Sequence, residues 1–318
     1  MEYRLLGHTG VRVSPLCFGT MSFGGDADEE TSATLYQRCR DAGINFFDCA
    51  NSYSDGRAEE ILGRLIAGSR DQLVITSKVF ATTGPDSLAR GASRRNIMAE
   101  IDKSLKRLGT DHLDIYFIHH FDEATPLPET MRALDDLVRA GKILYPAASN
   151  FAAWQVAKAL GLSAQSGWAP FAVIQPMYNL VKRTAEVEIL PMAQSEGLGV
   201  ITYSPLGGGL LTGKYATSQR PEQGRLVDNK AYQKRYEADW IHPTAARFND
   251  FARQRGYNPP ALAVAWVASH PAVSAPIIGA RNLAQLNDSL AALDLTMTPE
   301  LRAEISALSP TPPTAHDR

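Results

Sequence analysis

A closed parallel (β/α)8 barrel is the fold that the 318-residue sequence predicts, and three observations predict it. Eight apolar runs of four to six residues recur along the chain, at 16–19, 45–48, 73–77, 113–118, 143–148, 172–175, 198–203 and 275–278. Each is followed by a helical pattern, and near-continuous apolar runs suit strands covered on both faces. A glycine closes several helical periods just before the next run, as in Ala42-Gly43-Ile44-Asn45-Phe46-Phe47, Ala140-Gly141-Lys142-Ile143-Leu144 and Glu196-Gly197-Leu198-Gly199-Val200-Ile201. Glycine takes the left-handed cap there without a Cβ clash. No linker interrupts the count, which favours a barrel over a doubly wound open sheet. A short N-terminal β-hairpin and extra loops and helices at the C-terminal face complete the expectation, with residues 1–318 as a single barrel domain.

The connecting elements follow in order. The clearest helix begins after Ser93 as N-cap, with Ile97, Ile101, Leu105 and Leu108 at gaps of four, four and three on one face, and stops at Gly109. Within the fifth run, Pro146 removes a backbone donor, which predicts a local break in that strand. The longest insertion, 214–240, follows the seventh run, is rich in Lys, Arg, Gln and Tyr, and reads as a lid. Pro310, Pro312 and Pro313 mark 309–318 as a frayed tail.

Composition excludes several classes. Hydrophobic residues at 44% and charged residues at 21% are ordinary globular usage, not that of a disordered, collagen-like or coiled-coil chain. Lys+Arg number 32 against 34 Asp+Glu, so the chain lacks the positive excess a nucleic-acid partner demands. Three cysteines, Cys17, Cys39 and Cys49, without CxxC spacing argue against a disulfide framework or a metal site and for a reducing compartment. Met1-Glu2-Tyr3-Arg4-Leu5 places charge where a signal peptide is apolar, and no run of about 18 apolar residues occurs, so a cytoplasmic protein without membrane contact is expected. Oligomeric state has no signal in the sequence.

Barrel enzymes carry their chemistry at the C-terminal ends of strands. The polar residues ending these runs are Asp48, with Tyr53 five residues on, Lys78, His119 and His120, Ser149-Asn150, Gln175, and Tyr203-Ser204. Each has a bland reading taken singly: Asp48 as a cap, Tyr53 as a surface aromatic, Lys78 as a rim charge, His119 as a packed imidazole. Their joint placement on one barrel face favours a site.

These residues resemble those of the aldo-keto reductases over nearly the whole chain. Gly19-Thr20-Met21-Ser22-Phe23-Gly24 resembles the family's first loop, Phe47-Asp48-Cys49-Ala50-Asn51-Ser52-Tyr53 its Asp/Tyr segment, and Asp114-Ile115-Tyr116-Phe117-Ile118-His119 its histidine strand. Ser149-Asn150-Phe151, Gln175-Pro176-Met177-Tyr178-Asn179, the stretch from Tyr203-Ser204-Pro205-Leu206 through Gly207-Gly208-Gly209 to Lys214, and Ile277-Ile278-Gly279-Ala280-Arg281 also match. The resemblance implies NADPH-dependent reduction of an aldehyde or ketone, a small-molecule carbonyl substrate, and a catalytic set of Asp48, Tyr53, Lys78 and His119. Hydride delivered to a carbonyl carbon leaves an alkoxide that needs a proton. Tyr53 is the expected acid, Lys78 eases its ionisation, Asp48 holds Lys78 charged, and His119 donates to the carbonyl oxygen. By strand alternation His120 is expected to point out of the barrel, whereas a bulge in the strand would exchange the roles of His119 and His120.

NADPH/NADP+ is implied without a Rossmann domain, and no GxGxxG follows an early strand. The resemblance assigns Ser149, Asn150 and Gln175 to the carboxamide, Tyr203 to the nicotinamide ring, and Ser204, Pro205, Leu206, Gly209 and Lys214 to the phosphate strip. Gly19, Thr20, Met21, Asp48 and Ile278 complete the near wall, and Gln285, Asp288 and Ser289 face the adenosine. Gly279 is expected to open the last helix, and Arg281 to take a 2′-phosphate with its planar fork. Departures from the family pattern are Cys49 where Thr is usual, read as structural, and Asp288 and Ser289 where Glu and Asn are frequent. Phe23, Tyr53, Phe80 and Trp240 are candidates for an aromatic substrate wall; the stretch Lys230, Tyr232, Lys234, Arg235 and Tyr236 is a candidate to recognise an anionic substrate or to clamp NADPH, with a solvated helix face as the default reading. Two other functions compete: a cofactor-binding regulatory subunit of the channel-associated type with little catalysis, and a barrel lyase using Lys78 as a Schiff base.

Overall fold

The structure, a computed structural model, describes residues 1–215 and 224–315. β1 (Arg4–Leu5) and β2 (Arg12–Val13) form an antiparallel hairpin. Eight strands then pair in parallel: β3 (Cys17–Gly19), β4 (Phe46–Asp48), β5 (Val74–Val79), β6 (Leu113–Ile118), β7 (Ile143–Ser149), β8 (Val173–Gln175), β9 (Gly199–Thr202) and β10 (Ala275–Ile278). Each pairs with the next and β10 closes on β3, so all eight expected runs form one closed barrel. Between the strands run α1 (Glu29–Asp41), α2 (Arg57–Ile66), α3 (Arg94–Leu108), α4 (Leu127–Arg139), α5 (Ala153–Ser166) and α6 (Ile189–Ser195). The β9–β10 connection carries α7 (Arg225–Asp228), α8 (Lys230–Arg235), α9 (Ile241–Gln254) and α10 (Pro259–Ala268), and α11 (Leu283–Leu290) and α12 (Pro299–Ser306) follow β10. On α3 the Ser93 side chain accepts from the Asn96 N–H and Gly109 ends the helix in the left-handed conformation, as its sequence requires.

Two cores result from side-chain alternation along the strands. Cys17, Phe46, Val74, Ile115, Phe117, Ala147, Val173, Ile201 and Ala275 pack inside the barrel, while Phe18, Phe47, Ile75, Tyr116, Ile118, Ala148, Ile174 and Val200 pack outward under the helices. The hairpin closes the base of the inner core with Leu6 and Val13, both fully buried. This needs a glycine at position 7, whose backbone has φ 55° and lies so close to β9 that a Cβ would collide with the Gly199 nitrogen.

The break expected at Pro146 does not occur. β7 runs unbroken from Ile143 to Ser149, with Pro146 opposite Tyr116 of β6. In a parallel ladder the N–H and C=O of one residue face the same neighbour. The Pro146 carbonyl accepts from the Ala172 N–H, so the missing donor faces residue 170, before β8 begins, and no ladder bond is lost. The lid expected over 214–240 lies partly outside the described residues, at 216–223, and the remainder holds α7 and α8. Of the tail, Ser309 is buried, 310–315 form no helix or strand, and 316–318 lie outside the described residues. No helix among the described residues is long and apolar enough to cross a membrane.

Candidate active site

The strands that fill the inner core also aim the polar ring. Phe46, Phe117, Ala147, Val173 and Ile201 point to the barrel axis, so two residues further on Asp48, His119, Ser149, Gln175 and Tyr203 face the same axis one layer higher. Val74 sets the same parity for Thr76 and Lys78 in β5. Asp48, His119, Ser149, Gln175 and Tyr203 line a cavity of about 620 Å³ at the C-terminal mouth, while Thr76 and Lys78 are fully buried.

Lys78 is fully buried, and its ammonium donates to Asp48 Oδ2 (2.6 Å), the Cys49 carbonyl (2.7 Å) and Tyr53 OH (3.2 Å). The other Asp48 oxygen accepts from Thr76 Oγ1 (2.8 Å) and Gln175 Nε2 (2.9 Å), so the buried carboxylate is saturated. Burial alone lowers the Lys78 pKa, but the Asp48 carboxylate, then Tyr53, reverse this and hold it above the ordinary lysine range. The ammonium is therefore charged, without the lone pair that a Schiff base would use. Burial pushes the Tyr53 phenol up to about 12 against the pull of Lys78, so at neutral pH it holds its proton. Burial likewise pushes the Cys49 thiol up to about 12, which suits a structural residue.

The segment carrying Tyr53 is tethered rather than free. Ser54 (φ 49°) and Asp55 (φ 53°) both sit in the left-handed region, a strained pair for residues other than glycine. The Ser54 hydroxyl donates to the Phe23 carbonyl (2.8 Å) and the Asn51 amide donates to the buried Glu100 carboxylate (2.8 Å), holding the turn on both sides.

His119 meets the Tyr53 ring edge-on, with centroids 6.2 Å apart. Burial, the Lys78 ammonium and His120 push its pKa down to about 2, so the imidazole is neutral. An imidazole barred from protonating in the fold but free to do so near pH 6.5 once unfolded withdraws stability as pH falls, by about 1.4 kcal/mol per pH unit below that value. In urea unfolding compared at pH 7 and pH 5, His119→Asn is expected to lose about 2 kcal/mol less than the wild type. Equal losses would mean that the folded imidazole protonates normally.

His120 does not point out of the barrel. The last ladder bond of β6 is that from the His119 N–H to the Val79 carbonyl (2.9 Å), and beyond it alternation no longer applies. The His120 ring stacks on His119, with centroids 5.1 Å apart, and lines the cavity.

On the facing wall, Tyr203 OH donates to Asn150 Oδ1 (2.6 Å), the Asn150 amide donates to the His119 carbonyl (2.9 Å) and Ser149 Oγ (3.0 Å), and Ser149 Oγ donates to the Gln175 carbonyl (3.0 Å). Asn150 adopts φ 58°, a conformation asparagine tolerates. The cavity is lined as well by Gly19, Met21 and Ile278, by Ser204, Pro205, Leu206, Gly209 and Lys214, and by Gly279, Arg281, Gln285 and Asp288. Two residues expected there do not line it. Thr20 is fully buried with its hydroxyl on the Asp48 carbonyl (3.0 Å), and Ser289 is buried at 1% exposure. Gly279 does not open a helix; α11 begins at Leu283, capped by Asn282, and Gly279 lies in the turn after β10. Arg281 pairs with Asp26 (2.9 Å), and its N–H donates to Gln285 Oε1 (3.0 Å).

The cavity also takes Ser22 and Thr212, which the sequence did not single out as site residues, and Tyr232 and Arg235, for which a solvated face was the default. The stretch read as a solvated face is not one throughout: Tyr232 and Arg235 line the cavity and Tyr236 is 1% exposed. Their spacing of three and four was the available signal. Of the candidate aromatic wall, Tyr53 lines the cavity, Phe23 packs in the core against Phe18, Phe80 lies beside the His120 ring, and Trp240 is 40% exposed away from it.

Comparison with known proteins matches residues 15–310 to the family model described as the Aldo/keto reductase family. An uncharacterized oxidoreductase of Bacillus subtilis (strain 168), YrpG, is 38% identical, covering 98% of this chain and 97% of that protein. A probable voltage-gated potassium channel subunit beta of Oryza sativa subsp. japonica is 37% identical over 97% of this chain and 96% of its own length. The L-glyceraldehyde 3-phosphate reductase of Escherichia coli (strain K12) is 34% identical over 96% and 91%.

Proposed function

The chain belongs to the aldo/keto reductase family, and from that premise we propose that it reduces an aldehyde or ketone to the alcohol with NADPH, Tyr53 supplying the proton. The observation that carries this reading is a phenol held 3.2 Å from a buried ammonium that is itself 2.6 Å from a buried carboxylate, beside a neutral imidazole on the floor of the cavity. The donor set fits a nicotinamide dinucleotide. Among the lining residues Asn150, Gln175 and Tyr203 offer amides and a ring, and Lys214, Arg281 and Gln285 offer cations and an amide. Gly209 (φ 98°) leaves the backbone bare beside Lys214, where a Cβ would come within 2.7 Å of Cε. When bound, that group supplies the hydride for the carbonyl carbon.

The chain's own residues do the rest. His119 donates to the carbonyl oxygen and orients it, which polarises the carbon toward attack. Tyr53 gives its proton to the oxygen as negative charge develops there, and Lys78 stabilises the phenolate left behind. Asp48 fixes the ammonium under the phenol. The test is NADPH oxidation with 4-nitrobenzaldehyde, where aldehyde-dependent turnover of about 1 s⁻¹ or more is expected. No aldehyde-dependent oxidation would overturn the reading.

The relatives named as probable channel subunits support a second reading, in which the barrel binds NADPH for a regulatory purpose. It expects tight NADPH binding with turnover far below about 1 s⁻¹.

For the choice of NADPH over NADH we propose Arg281. Arg281→Ala is expected to raise KM for NADPH by about 10- to 100-fold, the weight of a charged hydrogen bond, with little change for NADH. Its pair with Asp26 is largely exposed, so stability should move little. An equal rise with both cofactors would remove the 2′-phosphate assignment.

A further inference from the structure

Arg235 lines the cavity, and its charge acts on His120 and Tyr203 at the reacting end. On α8, Arg235 lies over the Tyr232 ring, with Cζ 4.8 Å from its centroid. Lys182, from the segment after β8, lies over the neighbouring Tyr236 ring, with Nζ 5.7 Å from its centroid. Two cations from distant parts of the chain thus rest on aromatic rings four residues apart. Neither forms an ion pair with a carboxylate among the described residues. Burial, then the Arg235 charge, lowers the pKa of Lys182 against the smaller opposing pull of Glu237, and burial, then Arg235, lowers that of His120, so the guanidinium acts on the ring stacked against His119.

The carboxylates lining the cavity are already engaged. Asp48 is saturated by Lys78, Thr76 and Gln175, and Asp288 accepts from Asn258 (2.8 Å) at the Arg281 end. The cations on the course proposed for the dinucleotide, Lys214 and Arg281, belong to other elements. A guanidinium in a partly dry wall, with like charge behind it, is stabilised by an incoming anion, and its planar fork matches a carboxylate or phosphate.

We propose that Arg235, backed by Lys182, selects carbonyl substrates that carry an anionic group, which it holds while the carbonyl oxygen rests at Tyr53 and His119. This rests on the carbonyl-reductase reading. The anion is a handle and is not altered: hydride adds to the carbonyl carbon, the C=O π bond breaks, and the oxygen takes the Tyr53 proton.

The test compares 4-carboxybenzaldehyde with its neutral methyl ester, and glycolaldehyde phosphate with glycolaldehyde, each with NADPH. Wild type is expected to favour at least one anionic member by about tenfold or more in kcat/KM, chiefly through KM, with the preference shrinking as salt is added. Which pair shows it tells carboxylate from phosphate. Arg235→Met is expected to lower that ratio about tenfold or more, Arg235→Lys to keep part of it, and Lys182→Met to lower it about threefold. NADPH affinity of Arg235→Met, read by fluorescence, is expected to change less than about threefold. Ratios near one in the wild type, or unchanged in Arg235→Met, would overturn the proposal. So would a loss of NADPH affinity of about tenfold or more, which would place the guanidinium on the cofactor. If the wild type reduces neither 4-nitrobenzaldehyde nor any of the four, the reductase reading itself fails; if it reduces 4-nitrobenzaldehyde but none of the four, only the substrate class fails. If it reduces the neutral members as well as the anionic ones, only the substrate class fails.

Discussion

Tyr53→Phe is expected to lower kcat/KM for 4-nitrobenzaldehyde about 10³-fold, the usual weight of a positioned general acid. The substitution removes one oxygen from a cavity floor whose other groups are held independently. Asp48 keeps its bonds from Thr76, Gln175 and Lys78, and the Lys78 ammonium keeps two of its three acceptors. The cost in stability should therefore be about 1 kcal/mol, so circular dichroism and the urea midpoint separate lost chemistry from lost fold. The pH dependence carries the same information. With the phenol pushed up to about 12, the acid form is present throughout the neutral range and reduction should stay level from pH 6 to pH 9. Oxidation of the alcohol needs the phenolate, so it should climb with pH over the same interval. Undiminished reduction by Tyr53→Phe would take the proton donor elsewhere.

Lys78→Met is expected to be costly in two currencies. Taking away the ammonium strands the Asp48 carboxylate, at 3% side-chain exposure, with two neutral donors, and breaking one side of a buried pair costs about 3–5 kcal/mol. Activity should fall with it, because the Tyr53 phenolate loses its nearest positive charge. Because the Lys78 pKa is raised in the fold, the pair's stabilisation is complete below the unfolded value near 10.4 and is lost as pH rises through the folded one. The wild type should therefore weaken in alkali more steeply than Lys78→Met. Urea midpoints at pH 7 and pH 10.5 check both points, and a Lys78→Met protein as stable as wild type at pH 7 would contradict the buried pair.

How much of this was legible follows from the kind of interaction involved. Asp48, His119, Ser149, Gln175 and Tyr203 could be placed together because alternation along a strand is a local property, and each lies two residues beyond an apolar residue of the inner core. The same reasoning misplaced His120, since it assumed a ladder whose last bond is made by His119. Pro146 misled for a related reason: the lost donor matters only if a partner carbonyl belongs to a strand, and β8 begins at Val173. Arg235 was read as solvated because a helix of mixed polarity does not reveal which side returns over a barrel mouth.

By itself the sequence determined the eightfold βα rhythm, the family and the parity that turns one set of polar side chains toward the axis, since run spacing and alternation act between near neighbours in the chain. Only the tertiary structure decided that Asp48 is shared by Lys78, Thr76 and Gln175, that His119 is held neutral, and that Arg235 lines the cavity. Those outcomes depend on distance and on the exclusion of water, and both arise only when separate strands and a returning helix meet around the same small volume.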